Sequence, residues 1–211
     1  MEGRPPCRPD RIDCLSQVED LRHVMADAAR NEDFVVTLRP ATLADVYLLR
    51  RWDEQPHVVQ SDPNDEWNWE VELGRSPDWR EQLIAEVEGR PVGFVQIIDP
   101  AREDSRYWGE VSADLRAVDI WIGEAGDLGR GFGTRIMQLV LARCFVERTV
   151  SAVLIDPLIS NIRAHRFYER LGFRFLERRQ FGLDDCFVYQ LTRGDWVRRC
   201  LGRDVSPRRP Q

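Results

Sequence analysis

The run Leu115-Arg116-Ala117-Val118-Asp119-Ile120-Trp121-Ile122 leads into Gly129-Arg130-Gly131-Phe132-Gly133-Thr134, after which Ile136, Met137, Val140, Leu141 and Phe145 recur at helical spacing. The first part reads as a strand whose apolar end is interrupted by Asp119, the last as a helix, and the glycines as the turn between them. At such a turn the backbone N–H groups converge where the helix dipole is positive, which makes an anion cradle. Glycine lets that backbone approach an oxygen-rich diphosphate with no Cβ in the way. A nucleotide P-loop is excluded, because it needs Gly-Lys-Ser/Thr and the chain contains no lysine. A dinucleotide-binding turn also fits poorly, although Asp156 ends the next strand 23 positions after Gly133. The spacing here is Gly-x-Gly-x-Gly, no series of βαβ units begins, and only two strands follow the next helix.

Downstream, Val150 to Ile155 reads as a strand ended by Asp156-Pro157, and Ser160 is placed to cap a helix with Ala164, Phe167, Tyr168 and Leu171 on one side. Gly172 suits its left-handed end. Phe173 to Phe181 and Cys186 to Thr192 then close the chain as two strands around a Gly-Leu-Asp-Asp turn. Upstream, Gln82 to Val87 and Val92 to Ile98 form a hairpin around Glu88-Gly89-Arg90-Pro91. Val35 to Arg39 is a further strand, and Thr42-Leu43-Ala44-Asp45 is a capping-like start to a helix carrying Val46, Leu48, Leu49 and Trp52. Residues 1–32 are an extension holding a possible helix from Ile12 to Ala29, residues 33–197 one domain, and residues 198–211 a basic tail.

Composition narrows the partners. All 30 basic residues are arginine, set against 36 acidic ones, for a net charge of −6 that repels phosphate backbones and attracts polycations. Seven acids fall between Asp53 and Glu72 with Trp67 and Trp69 among them, either a solvated surface or a wall for a cationic ligand. The five cysteines include no Cys-x-x-Cys, so no structural metal is expected. With no apolar leader and no stretch long enough to span a bilayer, the expectation is a soluble cytoplasmic protein, compatible with a monomer or a homodimer.

Three segments together resemble the GNAT superfamily of N-acetyltransferases over about residues 34 to 193. Val118 to Ile122 is similar to the strand whose backbone pairs with pantetheine. Arg130 to Thr134 is similar to the pyrophosphate loop, with Leu128 where a Gln or Arg usually opens that motif. Asp156-Pro157, Ser160-Asn161, Ala164, Phe167-Tyr168-Glu169 and Gly172-Phe173 match the downstream motif. The resemblance implies an α/β (α+β) GNAT fold, a central mixed, mostly antiparallel twisted sheet flanked by helices. It also implies acetyl-CoA as cofactor, held by Ile120, Trp121, Ile122, Gly129 to Thr134, Asn161, Ala164 and Tyr168.

Within the superfamily the chain is most similar to aminoglycoside 6′-N-acetyltransferases. That likeness implies a polycationic small-molecule amine as acceptor, facing Asp104, Asp119 and Asp156, with Trp52 and His57 also at the acceptor. Direct transfer needs an unprotonated amine, so a nearby carboxylate must act as base. Asp119 is the first candidate, because burial in an apolar strand would raise its pKa, and Asp156 is the second. By the same likeness, Tyr168 donates to the leaving thiolate. His57 stands in a Pro-His-Val-Val context also found in relatives that acylate siderophore precursors, which leaves another amine, or a silent acyl-CoA-binding module, as alternatives.

Overall fold

The structure is a computed structural model describing residues 34–64 and 66–203; the expected extension over residues 1–32 lies outside the described residues. Its elements run β1 (Val36–Pro40), α1 (Val46–Asp53), α2 (Pro56–Ser61), α3 (Trp69–Gly74), β2 (Arg80–Val87), β3 (Arg90–Ile98), β4 (Leu115–Ile122), α4 (Phe132–Val146), β5 (Ala152–Ile155), α5 (Ile162–Leu171), β6 (Arg174–Phe181), β7 (Asp184–Thr192) and α6 (Arg193–Arg203). The seven strands form one sheet in the order β1-β2-β3-β4-β5-β7-β6. Only β4 and β5 are parallel, so the sheet is mixed and mostly antiparallel, as the motifs implied.

Local chemistry explains most boundaries. Thr42 and Asp45 form a reciprocal capping box ahead of α1. The β2–β3 turn is tighter than expected, since Glu88 (φ 51°) and Gly89 (φ 79°) alone make it and Pro91 lies inside β3. Pro91 has no N–H to give the ladder, and the β2–β3 register shifts opposite it, between Ala85 and Glu86. The cap of α5 is Asn161 rather than Ser160: its side-chain oxygen accepts from the Ala164 N–H at 3.0 Å, and Gly172 (φ 97°) ends the helix. The chain does not close on two strands. Helix α6 follows β7, and Trp196 packs on Phe145 with ring centroids 4.9 Å apart. Arg193 donates to the carbonyls of Phe145 and Val150, 2.8 Å each, tying α6 to the end of α4.

The feature that positions the site is a failure of pairing. Strand β5 meets β4 only from Leu115/Ala152 to Ala117/Leu154, while β4 continues from Val118 to Ile122 against β3 alone among the described residues. The Gly123 N–H bonds the Val92 carbonyl at 2.9 Å and fixes the alternation: Asp119 and Trp121 turn their backbone groups to β3, and Val118, Ile120 and Ile122 turn theirs to the open side.

Side chains alternate likewise. Val118, Ile120 and Ile122 join the main core with Ile136, Met137, Val140 and Phe145 of α4. The opposite face carries two separate clusters. Leu49, Trp52, Trp69, Ile84 and Phe94 lie under α1 to α3; Ile98, Trp108, Ala117, Leu154, Phe181 and Val188 lie under the β3–β4 loop. Among the described residues, no helix is long and apolar enough to cross a membrane.

Gly123 joins β4 to the first of these clusters, because a Cβ there would sit 2.0 Å from the Trp52 ring. Gly123→Ala is therefore expected to lower stability by about 1–3 kcal/mol, the usual cost of overpacking. An unchanged urea midpoint would mean that the indole can move aside at no cost.

Candidate active site

Between the two clusters the open face of the sheet is polar. Gln82, Gln96 and Asp119 stand side by side on β2, β3 and β4. Gln82 donates to Gln96 at 3.3 Å, and Gln96 Nε2 donates to Asp119 Oδ2 at 3.1 Å. Gln96 is buried, whereas Asp119 is half-buried rather than enclosed as its apolar strand suggested, because neither cluster covers this part of the face. Sequence reading does not single out the two glutamines: Gln96 is a polar residue in the apolar run Val92 to Ile98, a usable signal, whereas Gln82 lies in a strand that also carries Arg80, Glu81 and Glu86.

Asp156 follows the last residue of β5, across the opening from β4. Tyr107 donates to its Oδ2 at 2.7 Å. Neighbouring groups enclose the carboxyl, although part of it still meets solvent, and that burial pushes its pKa up to about 6 against the opposing bond from Tyr107. Arg179 opposes the rise and Asp184 adds to it.

Tyr168 is buried on α5, its ring 5.7 Å from Phe173. Burial, then Asp119, then Asp156, push its phenol upward, so it stays a protonated donor at neutral pH. The fold thus brings Asp119, Asp156 and Tyr168 into one electrostatic neighbourhood, though they lie far apart in sequence.

Beyond the end of β4 the chain reaches the start of α4. Gly129 (φ 78°) and Gly131 (φ 87°) occupy the left-handed region, which is what demands glycine there. At Gly133 a Cβ would meet Phe167 at an ordinary 3.5 Å, so crowding does not require that glycine. Gly131 is the cap and has no side chain to bond the first turn, which leaves backbone N–H groups of a 15-residue helix available to an anion.

Arg130 turns back to Asp127 at 3.0 Å and lies over the Phe132 ring, while Arg90 bonds both Asp127 oxygens at 2.7 and 2.8 Å. These guanidinium groups, Arg90 first, hold the buried Asp127 carboxyl well below the usual carboxylate range. Asp127 therefore anchors the loop, a role the glycine motif does not reveal. Phe132 is buried edge-on against Phe34 at 4.9 Å, and Thr134 is half-buried in the first turn.

Trp52, expected at the acceptor, is fully enclosed in the core beneath α1 to α3, and its Nε1 points to Glu124 at 3.3 Å. His57 Nε2 lies 2.7 Å from the Ile122 carbonyl and so occupies the outer end of the open β4 edge. Asp104 is exposed on the β3–β4 loop, where Tyr107 rather than Asp104 reaches Asp156. Asn161 spends its side-chain oxygen on the helix cap, while Ala164 packs against the main core. The acidic segment holds two short helices, and among its seven acids Glu70 is ion-paired with Arg50 and Glu72 with Arg80. Its middle reaches the open face, where Asn64 donates to Asp184 at 2.6 Å.

Residues 41–181 match the family model of the GNAT acetyltransferase domain. The match spans more than half of the chain, and the chain belongs to this family of acetyltransferases. It is 29% identical over 157 residues to the aminoglycoside N(6')-acetyltransferase type 1 of Klebsiella pneumoniae, covering 68% of this chain and 76% of that one. It is 26% identical over 153 residues to the lysine N-acyltransferase MbtK of Mycobacterium tuberculosis, covering 66% and 69% respectively. The crystal structure of aminoglycoside acetyltransferase AAC(6')-Ib with coenzyme A and kanamycin superposes with a TM-score of 0.69 at 26% identity, over 77% of this chain and 98% of that one.

The environment of Asp156 gives a stability prediction. A carboxylate whose pKa rises on folding, from 3.8 to about 6, penalises the native state once it ionises, so the cost is absent well below pH 4 and complete above pH 6. Asp156→Asn should accordingly be more stable than the parent at pH 8, by up to about 3 kcal/mol, with the gain fading between pH 6 and 4. Denaturant titration across that range checks it; a variant no more stable at pH 8 would show that the charged carboxylate is well solvated.

Proposed function

We propose that this chain transfers the acetyl group of acetyl-CoA to the 6′-amine of an aminoglycoside by direct transfer in a ternary complex. The observation that carries the reading is the meeting of two carboxylates and a protonated phenol, Asp119, Asp156 and Tyr168, at the place where β4 and β5 part. The similarity to aminoglycoside N(6')-acetyltransferases and to the kanamycin-bound structure supports the acceptor class.

Acetyl-CoA supplies the acetyl group as a thioester. The backbone groups of Val118, Ile120 and Ile122 on the open edge of β4 would hold its amide-bearing arm, and Gly129 to Thr134 with the start of α4 would hold its pyrophosphate. The uncapped N–H groups there suit that anion. Asp119 takes the proton of the acceptor ammonium, directly or through water, and the bond from Gln96 orients its carboxylate. Asp156 holds the cationic amine. The neutral amine nitrogen would attack the thioester carbonyl carbon directly, which needs no covalent enzyme intermediate, and as the C–S bond breaks Tyr168 would donate to the departing sulfur.

The similarity to a lysine N-acyltransferase supports a second reading, acylation of a lysine-type siderophore precursor. Carboxylates at the acceptor disfavour a substrate that carries its own carboxylate.

Thiol release over a panel of amines separates these readings. Kanamycin- or tobramycin-like drugs bearing a 6′-amine are expected to release CoA, while a neomycin-class drug with a 6′-hydroxyl should bind as a competitive inhibitor without turnover. Release with the lysine-type acceptor alone would favour the second reading, and equal turnover of both drugs would place the chemistry at another amine. Within the first reading, Asp119→Asn should lower turnover by about 10² or more at pH 7. Recovery at high pH, where the amine is already neutral, marks Asp119 as the base; a full rate at every pH would give that role to another group.

A further inference from the structure

Tyr107 belongs to none of the sequence motifs, yet its hydroxyl donates to Asp156 Oδ2 at 2.7 Å. Its position is set by three independent contacts. The ring lies parallel on Phe181, with centroids 4.3 Å apart and planes 5° from each other. The next residue, Trp108, is buried in the cluster under the β3–β4 loop, and Arg179 donates to the Trp108 carbonyl at 2.8 Å. The phenol is thus delivered to the carboxylate by a pinned stretch of chain. The residue is 45% exposed, so water could satisfy its hydroxyl in other rotamers, and the bond to Asp156 is a choice made by the packing.

We propose that Tyr107 is a positioning residue for the acceptor amine: its hydroxyl holds Asp156 in one orientation, with Oδ2 occupied and Oδ1 left to receive the ammonium. The inference rests on the acceptor reading above and adds a residue to it. The groups bearing on Asp156 come from every neighbouring element. Tyr107 on the β3–β4 loop, Arg179 on β6 and Asp184 on β7 act on it; it acts in turn on Tyr168 of α5 and Cys186 of β7, and Asp119 of β4 bears on the same two tyrosines. Arg179 is the only cation among them. Its guanidinium is also engaged by the Trp108 carbonyl and the Phe181 ring, and Glu177 lies 4.0 Å away. A side-chain donor on Oδ2 therefore matters for keeping Asp156 ionised, and only the ionised form holds an ammonium.

Tyr107→Phe keeps the ring on Phe181 and removes the donor. With a 6′-amino drug as acceptor, KM for the drug should rise about tenfold, on the scale of a hydrogen bond to a charged group, while KM for acetyl-CoA stays unchanged. The acidic limb of kcat/KM for the drug should move up by about one pH unit, because Asp156 then takes a proton more readily. A second readout needs no acceptor. The pH range over which the gain from Asp156→Asn builds up should extend to higher pH when the substitution is made in Tyr107→Phe, because its upper end follows the folded-state pKa while its lower end, set by the unfolded chain near pH 3.8, stays in place. If the acidic limb, the drug KM and the stability range all match the parent, Tyr107 only stacks and the proposal is overturned. If the parent acetylates no aminoglycoside, the acceptor reading fails. An upward extension of the stability range would still support Tyr107 as the residue that holds Asp156, and an unmoved range would overturn that too.

Discussion

The short pairing of β4 with β5 is the constraint on which the rest depends. Had the two strands stayed together beyond Ala117 and Leu154, the backbone groups of Val118, Ile120 and Ile122 would be spent on a ladder. Because β5 stops at Ile155 and the chain turns away at Asp156-Pro157, those groups face an opening instead. An interrupted sheet is costly unless something else takes up the backbone groups. Here His57 takes the Ile122 carbonyl, and the remaining groups are those we assign to the cofactor arm.

The same opening sorts the side chains. One face of β4 feeds the main core, and the other carries Asp119 between two hydrophobic clusters that do not merge. The polar strip Gln82-Gln96-Asp119 crosses three strands in register, so the carboxylate is oriented by groups that are themselves fixed by the sheet. This is a rigid way to present an acidic group to a ligand, since backbone pairing sets its position and a loop need not order on binding.

Two aspartates show how partners decide what burial does to a carboxyl. Asp127 is buried with two arginines on its oxygens, which hold it ionised and tie the glycine-rich loop to the β2–β3 hairpin. Asp156 is enclosed with a neutral phenol as its side-chain donor, and burial wins, raising its proton affinity. The first is a structural pin. The second keeps a raised proton affinity, which suits the amine-holding role we propose for it.

The strand, glycine turn and helix from Leu115 to Val146 were legible because each element there is decided locally, by alternation, by left-handed backbone that only glycine takes readily, and by apolar spacing. The hairpin at Gly89 and the end of α5 at Gly172 were readable for the same reason. The capping residue of α5 was misplaced by one position, because Ser160 and Asn161 both suit a cap and only the backbone path chooses between them. Trp52 shows the opposite limit. Its helical pattern marked a buried face, but whether an indole lines a ligand site or fills a core depends on what packs above it, here Gly123 and Glu124. The contacts that position the carboxylates, Gln96 on Asp119 and Tyr107 on Asp156, join residues 23 and 49 positions apart. No periodicity encodes them; strand register and the packing of one loop do. Sequence alone therefore determined the strand, glycine turn and helix from Leu115 to Val146, the β2–β3 hairpin and the chemistry available there, because those are short-range properties of the chain, whereas it left out α6. Only the tertiary structure decided which carboxylate is enclosed and which donor meets it, because burial is set by segments distant in sequence.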